Sequence, residues 1–368
     1  MKAWVLLVSL LVLCIAIGKI AHAICYPFWN KQPVFLHLNL SQWLRRGSII
    51  DESRPNKNDR FYDRSIFVRS IDDCVESDII QVLKFLEENY SPLGDFTYTP
   101  SLDTFKATFV MATDSYIATM SDKDGGLIGC ITSRPAKCRL GKKTVTVNYI
   151  DHLCIKKKSR NKGLAPRLIT TLSATIRKRT ACVTCLFKRE GASTPFVPLT
   201  CVISAATQAP IGPASAENSI VKLNVREAAE LLQNVPAMEK YNCIAYTSPL
   251  STMSALQEGI YSVYRANSGS IFVFRSNEVK SRQPVEECMF SLKSNRTDRA
   301  GFFRDYCDAV RSHRGGKYII VVDGIGDSAI IQQESEKVSV PLEKSYAKYY
   351  LFNYVEYPHP CNRVAMLI

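Results

Sequence analysis

TVTVNYIDHLCIKKKSRNKGLAPRLITTLSATIRKR, residues 144–179, predicts a strand, a basic turn and a helix. Apolar and polar residues alternate over 144–149, which is the period-two pattern of a half-buried strand. The alternation breaks between Ile150 and Ile155, and this break predicts a β-bulge or a splayed strand end. Pro166 is best tolerated in a first helical turn, and an amphipathic pattern of leucine and isoleucine runs through and beyond it.

The turn itself, Lys156–Gly163, is suited to binding an anion. Free backbone N–H groups and the positive end of a helix both favour phosphate. A solvated charged loop is the alternative interpretation, because a basic turn before a helix is a weak signal when it stands alone. The charge of the surrounding residues therefore helps to decide between an anion site and a solvated loop.

The positive charge of the chain is concentrated around this turn. The net charge is +13, and 15 lysines and arginines lie between Lys137 and Arg189 together with a single acid, Asp151. Such a patch fits a polyanionic small ligand, a nucleic acid or an anionic membrane surface. Only Tyr149 and Phe187 supply aromatic rings within it, so we expect no nucleic-acid partner.

The length and the cysteines limit the class of protein. A chain of 368 residues is long enough for two domains or a duplicated one. Its 13 cysteines are odd in number and lack a framework spacing, which predicts reduced thiols. Cys182 and Cys185 form a single CxxC without a second pair or a nearby histidine. We interpret them as buried strand cysteines and expect no bound metal.

The N-terminus carries a hydrophobic segment. Residues 3–17 are apolar apart from one serine, and Ala21–Ala23 matches a small-x-small cleavage pattern, as in a signal peptide. Ala3–Ile24 is also long enough to span a membrane, so an uncleaved anchor is the rival interpretation.

Two similar runs of elements follow. The first contains two helices, a β-hairpin about Asp122–Gly126, a strand ending at Arg134–Pro135 and the strand–turn–helix of residues 144–179. Residues 190–218, poor in charge and rich in Ala, Ser, Thr and Pro, predict a linker or long surface loop. The second run has helices over 223–235 and 302–313, a hairpin about 267–269 and strands at 317–323, 349–354 and 364–368. The order of elements resembles a GNAT-type acyl-CoA transferase fold.

Four segments carry a more specific likeness. They resemble, in the right order, motifs of the glycylpeptide N-myristoyltransferase family, a duplicated GNAT fold: YPFWNKQPV (26–34), EENY (87–90) with FTYTP (96–100), LIGCITSRPA (127–136) and HLCIKKKSRNKGLAP (152–166). The resemblance implies an α/β (α+β) fold with two tandem GNAT-like halves around a continuous mixed sheet, after an N-terminal hydrophobic helix. The implied divisions are 1–24 for the signal or anchor, 25–190 for the acyl-CoA-binding half, 191–218 for the linker and 219–368 for the peptide-binding half.

The resemblance also implies a reaction and its participants. Myristoyl-CoA would be the co-substrate, with no permanently bound cofactor, and the acceptors would be proteins or peptides with an N-terminal glycine. The backbone N–H groups of His152 and Leu153 would form the oxyanion hole, and the terminal carboxylate on Ile368 would be the base. The acyl-CoA would be lined by Tyr26, Phe28, Trp29 and Lys31, and its phosphates cradled by Arg160, Asn161, Lys162, Gly163, Leu164 and Ala165.

Two alternatives remain beside this function. The first alternative is a non-catalytic relative at a membrane that binds acyl-CoA or lipid. It is suggested by the closing strand, which ends one residue earlier than the family pattern, and by the poor match of the second half. A GNAT acyltransferase of other acyl specificity is the second. For localisation we expect membrane association with a cytosolic catalytic domain, or the secretory pathway if residues 1–23 are cleaved.

Overall fold

The computed structural model describes residues 2–53, 59–90, 97–109, 112–191, 193–210, 220–276 and 278–368. The helices in these ranges are α1 (Lys2–Cys25), α2 (Leu40–Trp43), α3 (Glu76–Asn89), α4 (Leu102–Phe109), α5 (Leu164–Arg179), α6 (Val225–Asn234), α7 (Pro249–Gln257), α8 (Arg299–His313) and α9 (Ser328–Val338). The strands are β1 (Ser48–Ile49), β2 (Phe67–Ser70), β3 (Thr97–Tyr98), β4 (Tyr116–Ser121), β5 (Leu127–Leu140), β6 (Lys143–Ile155), β7 (Cys185–Glu190), β8 (Thr200–Gln208), β9 (Ile220–Lys222), β10 (Cys243–Tyr246), β11 (Tyr261–Ala266), β12 (Ile271–Ser276), β13 (Val279–Lys280), β14 (Val285–Leu292), β15 (Ile319–Asp323), β16 (Glu343–Phe352), β17 (Tyr354–Val355) and β18 (Val364–Leu367).

One mixed sheet joins fourteen of these strands. Its order is β18-β10-β5-β6-β7-β16-β8-β15-β14-β12-β11-β9, and β2 and β4 extend it beside the first part of β5. The late strand β16 is central, because it pairs with β7 on one side and β8 on the other. The large mixed sheet and the N-terminal apolar helix confirm the predicted fold class.

The strand–turn–helix of residues 144–179 forms as the sequence predicts. Asp151 pairs with Thr132 and Cys154 with Cys130, so two residues of β6 stand opposite one residue of β5. This is the predicted bulge, at His152 and Leu153. β6 runs parallel to β7 only over residues 148–150, so the two strands separate beyond that point.

Helix α5 is fixed by its apolar face. Leu168, Leu172 and Ile176 are fully buried against Ala118 and Ile131 of the sheet. Burial of one such leucine or isoleucine contributes about 1.5–3 kcal/mol. The packing therefore holds the first turn of α5 at a set position over the end of β6.

The second half repeats this arrangement. β14 runs parallel to β15, with α8 between them in the chain, as β6 and β7 enclose α5. Phe302, Tyr306 and Val310 of α8 pack on the buried rings of Phe272 and Phe274. The repeat is structural, and it brings the open ends of both strand pairs towards one cleft.

Two predictions about the sheet were wrong. The predicted linker 191–218 contains β8, which pairs with β15 and β16 and lies inside the sheet; residues 211–219 lie outside the described residues. Its small residues suit a strand packed closely on both sides, and such composition is easily taken for a linker. The strand predicted to end at Arg134–Pro135 continues to Leu140, because Pro135 lies between the parts of β5 that pair with β4 and β10, where an N–H is not needed.

The N-terminal helix stands apart from this core. In the described residues, one helical segment, Ala3–Cys25, is long and apolar enough to cross a membrane, and its apolar side chains lie outside the protein core. Its C-terminal end touches the folded body, since His22 Nε2 lies 3.0 Å from the Pro195 carbonyl oxygen.

Candidate active site

A cleft of about 940 Å³ opens between the two halves. The first half contributes α4, the first turns of α5 and the bulged end of β6, and the second contributes residues of β11, β12 and β15. A cleft of this size is large enough for an extended cosubstrate together with a second reactant. Both halves are therefore needed to form the site.

One side of the cleft is apolar. Phe28 and Trp29 pack on each other with ring centroids 4.7 Å apart, and Ile169 and Leu172 of α5 and Phe187 of β7 line the same cavity. Of the four residues predicted to line an acyl chain, the structure brings in these two, Phe28 and Trp29.

The other two lie at the surface. Tyr26 is 46% exposed and Lys31 is also exposed, and neither contributes to the cleft lining. Both belong to the chain segment that carries Phe28 and Trp29, so sequence proximity alone did not separate the lining residues from the surface ones.

The turn before α5 leaves its backbone N–H groups open. Gly163 is the N-cap and has a φ of +72°, and no side chain caps the helix. Asn161, Lys162 and Gly163 are exposed, and Leu164 and Ala165 are half-buried in the first turn. An uncapped helix N-terminus beside lysines favours an anion.

The corresponding helix of the second half is closed to an anion. The Asp298 side chain accepts a hydrogen bond from the Gly301 N–H at 2.7 Å and caps α8. A carboxylate there satisfies the N–H groups and repels a phosphate. The difference between the two helices explains why only the first half is expected to bind a phosphate.

Arg160 is exposed and also joins the turn to its neighbours. Its Nη2 donates to the Asn89 carbonyl oxygen at 2.6 Å and its Nε to the Ile155 carbonyl oxygen at 3.1 Å. The side chain therefore fixes the turn to α3 and to the end of β6. Its Nη1 has no such contact among the described residues, so the side chain can still donate to a phosphate.

The bulge residue His152 is held from several sides. It has a φ of +51°, and its ring lies between the Thr132 hydroxyl and the Tyr98 hydroxyl, each 3.0 Å from a ring nitrogen. Tyr98 also contacts a Glu278 carboxylate oxygen at 3.4 Å. Thr132, Tyr98 and Glu278 were not found from the sequence, because they come from three distant segments.

The predicted oxyanion-hole donor at His152 has a partner. Its backbone N–H donates to Asp151 Oδ1 at 2.8 Å. Burial raises the pKa of Asp151, but the nearby His152, Arg134 and this hydrogen bond outweigh burial and hold the pKa below its ordinary range. Asp151 is therefore ionised at neutral pH, and a thioester oxygen would use the His152 N–H only after the carboxylate turns away.

The far wall of the cleft carries paired charges. Lys188 Nζ lies 3.0 Å from Asp323 Oδ2, and Arg275 Nε lies 3.0 Å from Glu287 Oε2. Burial raises the pKa of Asp323, but Lys188 and the Ser204 hydroxyl outweigh it and lower the pKa. These four groups neutralise one another within the protein.

Ile368 lies behind this wall. It is buried, and its main-chain oxygen accepts a hydrogen bond from Arg275 Nη1 at 3.4 Å. It is absent from the described residues that line the cleft. Among the residues that the structure describes, there is no cluster of three or more histidine, cysteine or acidic residues that could hold a metal ion.

Comparisons with known proteins agree with this architecture. Residues 65–187 match the family model of the myristoyl-CoA:protein N-myristoyltransferase N-terminal domain. A crystal structure of Saccharomyces cerevisiae N-myristoyltransferase with bound myristoyl-CoA superposes with a TM-score of 0.69 at 15% identity, over 91% of this chain and 94% of that chain. A second structure of the yeast enzyme, with bound myristoyl-CoA and inhibitors, gives 0.69 at 16% identity over 91% of each chain. A search of curated proteins gave no match.

The matched segment includes α3, α4, β6 and α5, the elements that form the turn and the bulge. The predicted resemblance is confirmed, and the likeness in sequence and fold supports an acyltransferase.

Proposed function

We propose that this chain is an N-myristoyltransferase, which transfers a myristoyl group from myristoyl-CoA to the N-terminal glycine amine of a protein. One observation carries the proposal: the uncapped helix N-terminus at Gly163 and the bulge at His152 lie at the two ends of one basic turn, beside one cleft. A phosphate-bearing thioester needs this combination of an anion site and backbone donors.

The cosubstrate would follow the surface from the turn into the cleft. The CoA phosphates meet the N–H groups of Asn161–Ala165 and the charge of Lys162, and the acyl chain enters between α5 and the rings of Phe28 and Trp29. The apolar lining supplies the binding energy for the chain, at about 0.8 kcal/mol for each buried methylene. No resident cofactor or metal enters the reaction.

The reaction is a direct displacement. The neutral glycine amine attacks the thioester carbonyl carbon, the C–N bond forms and the C–S bond breaks, and CoA leaves as the thiol or thiolate. The N–H groups of His152 and Leu153 would stabilise the oxyanion once the Asp151 carboxylate releases the His152 N–H. A C-terminal carboxylate on Ile368 would accept one proton from the glycine ammonium and so provide the neutral amine. The second proton, released as the amide forms, would leave with CoA as the thiol.

Turnover tests the proposal directly. The purified full chain is incubated with myristoyl-CoA and a glycine-initiated peptide, and the product is identified by mass spectrometry. We expect a peptide heavier by one myristoyl group, and an alanine-initiated peptide is the matched control. A folded protein that binds myristoyl-CoA and yields no acylated peptide would exclude the activity.

The role of Ile368 needs a separate test. One residue added after Ile368 moves the carboxylate without changing the cleft lining, and we expect kcat to fall at least tenfold if the carboxylate is the base. Unchanged kcat would assign proton removal to another group.

A non-catalytic acyl-CoA carrier is the second candidate, favoured by the bond between His152 N–H and Asp151 Oδ1. A carrier would bind myristoyl-CoA without turnover even with saturating peptide. Replacing Asp151 by alanine would free the His152 N–H. Faster hydrolysis of bound myristoyl-CoA by this variant would indicate a blocked donor, and unchanged hydrolysis would indicate a missing base.

We further propose that α1 anchors the chain at a membrane with the cleft on the cytosolic side. The helix is apolar and exposed, and its last turns lead directly into the Phe28–Trp29 wall of the cleft. Flotation of the full chain with liposomes tests the anchor, and protease protection in microsomes tests the side on which the cleft lies.

A further inference from the structure

The chain after the cleft wall returns to helix α1. Residues 38–47, LNLSQWLRRG, contain two arginines and no acid. Gly18 leaves space for the Leu38 side chain, because a β-carbon at residue 18 would lie 2.6 Å from Leu38 Cδ1. Lys19 is the first charge after Lys2, so the uncharged span ends at this turn of α1. With α1 across a bilayer, as proposed above, residues 38–47 therefore lie at the level of the lipid headgroups.

Two leucines of this segment point outward. Leu40 and Leu44 are one helical turn apart, and they are 62% and 88% exposed. The inner side of the segment is fixed by Trp43, whose ring centroid lies 4.7 Å from that of Phe35 and 5.6 Å from that of Tyr357. Neighbouring leucines that a packed aromatic ring holds in solvent are typical of a surface that enters a membrane interface.

A basic hairpin lies beside these leucines. Lys142 lies in the turn between β5 and β6, and Lys143 begins β6 and donates through Nζ to the Gly47 carbonyl oxygen at 3.0 Å. Arg45 and Lys142 are exposed, and neither forms an ion pair with another described residue. All three cations lie outside the turn that would bind CoA. Cations beside exposed leucines match an anionic bilayer, which attracts the cations and takes up the leucines.

We propose that residues 38–47 and the β5–β6 hairpin contact the surface of an anionic bilayer. Leu40 and Leu44 enter the interface, and Arg45 and Lys142 contact the phosphates of lipid headgroups. The inference rests on the proposed membrane anchor and goes beyond it. A single helix attaches the folded body to the membrane, whereas this second contact sets which side of the body faces the lipid.

Hydrogen–deuterium exchange can measure this contact on the full chain. The protein is placed in phosphatidylcholine liposomes, with or without phosphatidylserine, and in a neutral detergent, and its peptides are followed by mass spectrometry. Amides of residues 38–47 should exchange about tenfold more slowly in phosphatidylserine liposomes than in detergent, since local opening would withdraw at least one leucine from the bilayer. Omission of phosphatidylserine should speed exchange about fivefold for each cation contact that is lost.

A second exposed apolar segment provides an internal control. Val338 and Val340 are 73% and 90% exposed and precede β16, which runs over ten residues to Phe352, beside Val34. At about 3.3 Å for each residue of a strand, this segment lies about 30 Å from Phe352. Amides of residues 338–342 should therefore exchange at the same rate in all three media.

The leucine contact is tested by paired substitutions. Leu40→Ser with Leu44→Ser should abolish the slower exchange of residues 38–47 in phosphatidylserine liposomes. Val338→Ser with Val340→Ser removes apolar groups of similar exposure and should leave that slower exchange unchanged. Flotation is not the readout here, because α1 would keep each variant at the membrane.

The charge contact has its own pair of variants. Arg45→Glu with Lys142→Glu should make exchange of residues 38–47 independent of phosphatidylserine. Lys123→Glu with Lys222→Glu reverses two exposed charges, one in the turn before β5 and one in the distant edge strand β9, and should retain the dependence. An unchanged thermal unfolding midpoint shows that each variant is folded.

Each outcome decides the proposal. Slower exchange that is confined to residues 38–47 and the hairpin and needs phosphatidylserine supports it. Equal slowing at residues 338–342, or slowing without dependence on phosphatidylserine, overturns it. A protein that floats with liposomes but exchanges equally in lipid and detergent overturns this surface and retains α1 as the anchor, whereas a protein that does not float overturns both. Turnover with a soluble peptide in detergent tests the proposed transfer separately.

Discussion

Gly163 has a φ of +72°, a conformation that side-chain-bearing residues adopt only with strain. We expect Gly163→Ala to lower the free energy of unfolding by about 1 kcal/mol and also to weaken CoA binding, because the N–H groups of the turn would be reoriented. Urea denaturation and calorimetry with CoA measure the two effects.

A matched glycine separates strain from binding. Gly141 has a φ of +59° in the β5–β6 hairpin, with open space where a β-carbon would lie, and is away from α5. Gly141→Ala should lose a similar amount of stability and keep its affinity for CoA. Equal loss of affinity in both variants would argue against an anion site at Gly163.

The ion pair between Lys188 and Asp323 makes the free energy of unfolding depend on pH. The folded-state pKa of Asp323 lies below the ordinary value for an aspartate, because Lys188 and Ser204 outweigh the effect of burial. The pair therefore stabilises the folded protein at pH values above the ordinary aspartate pKa. This contribution is lost as the pH falls from that value through the lower folded-state pKa. We expect Asp323→Asn to cost about 3 kcal/mol at pH 7, and to reduce the loss of stability in acid.

A surface pair provides the comparison. The side chains of Arg226 and Glu230 are 89% and 64% exposed, so Glu230→Gln should change stability by less than about 0.5 kcal/mol at pH 7. Similar losses from both substitutions would mean that the buried pair contributes no more than a surface one.

Some site residues cannot be found from sequence. His152 and Leu153 lie at the predicted bulge because a local break in alternation marks it. The Asp151 contact to the His152 N–H, and the lack of a hydrogen-bond partner for Arg134 Nε among the described residues, depend on which side chains meet across the cleft. Local sequence patterns do not predict such contacts between distant segments.

The basic turn is an element held by one side chain. Arg160 joins it to α3 through Asn89 and to β6 through Ile155. We expect Arg160→Met to raise the Kd for CoA about tenfold by loosening the turn, since each bond from a charged donor contributes about 1.5–3 kcal/mol. Lys158→Met removes an exposed charge of the same turn and should raise the Kd less. A larger effect at Lys158 would indicate that charge, and not geometry, dominates.

Elements with a strong local period were predicted correctly, and those fixed by tertiary packing were not. α3, α4, α5 and α8 each show an apolar face in the sequence, and each forms near its predicted position. β8 has no such signal, since its small residues fit a strand only because β15 and β16 cover both edges. α7 and α9 were not predicted either.

At the scale of the whole molecule, the proposed role of α1 as a membrane anchor can be tested by substitution. Leu7→Arg with Leu11→Arg places two charges in the apolar helix, at about 2.5–3.5 kcal/mol each for membrane insertion. We expect the variant to leave the membrane fraction with its thermal unfolding midpoint unchanged, because both leucines are more than half exposed. Leu40→Arg with Leu44→Arg, at exposed positions of the folded body, should remain membrane-bound.

The central position of β16 has a consequence for synthesis. β7 and β8 are translated long before β16, the strand that lies between them in the sheet. Each therefore has an unpaired edge while the later residues are translated. Unpaired edges of this kind promote association between nascent chains. Chains truncated before residue 343 should therefore aggregate in cell-free translation, and a chaperone that covers strand edges should rescue full-length yield more than it changes the activity of the finished protein.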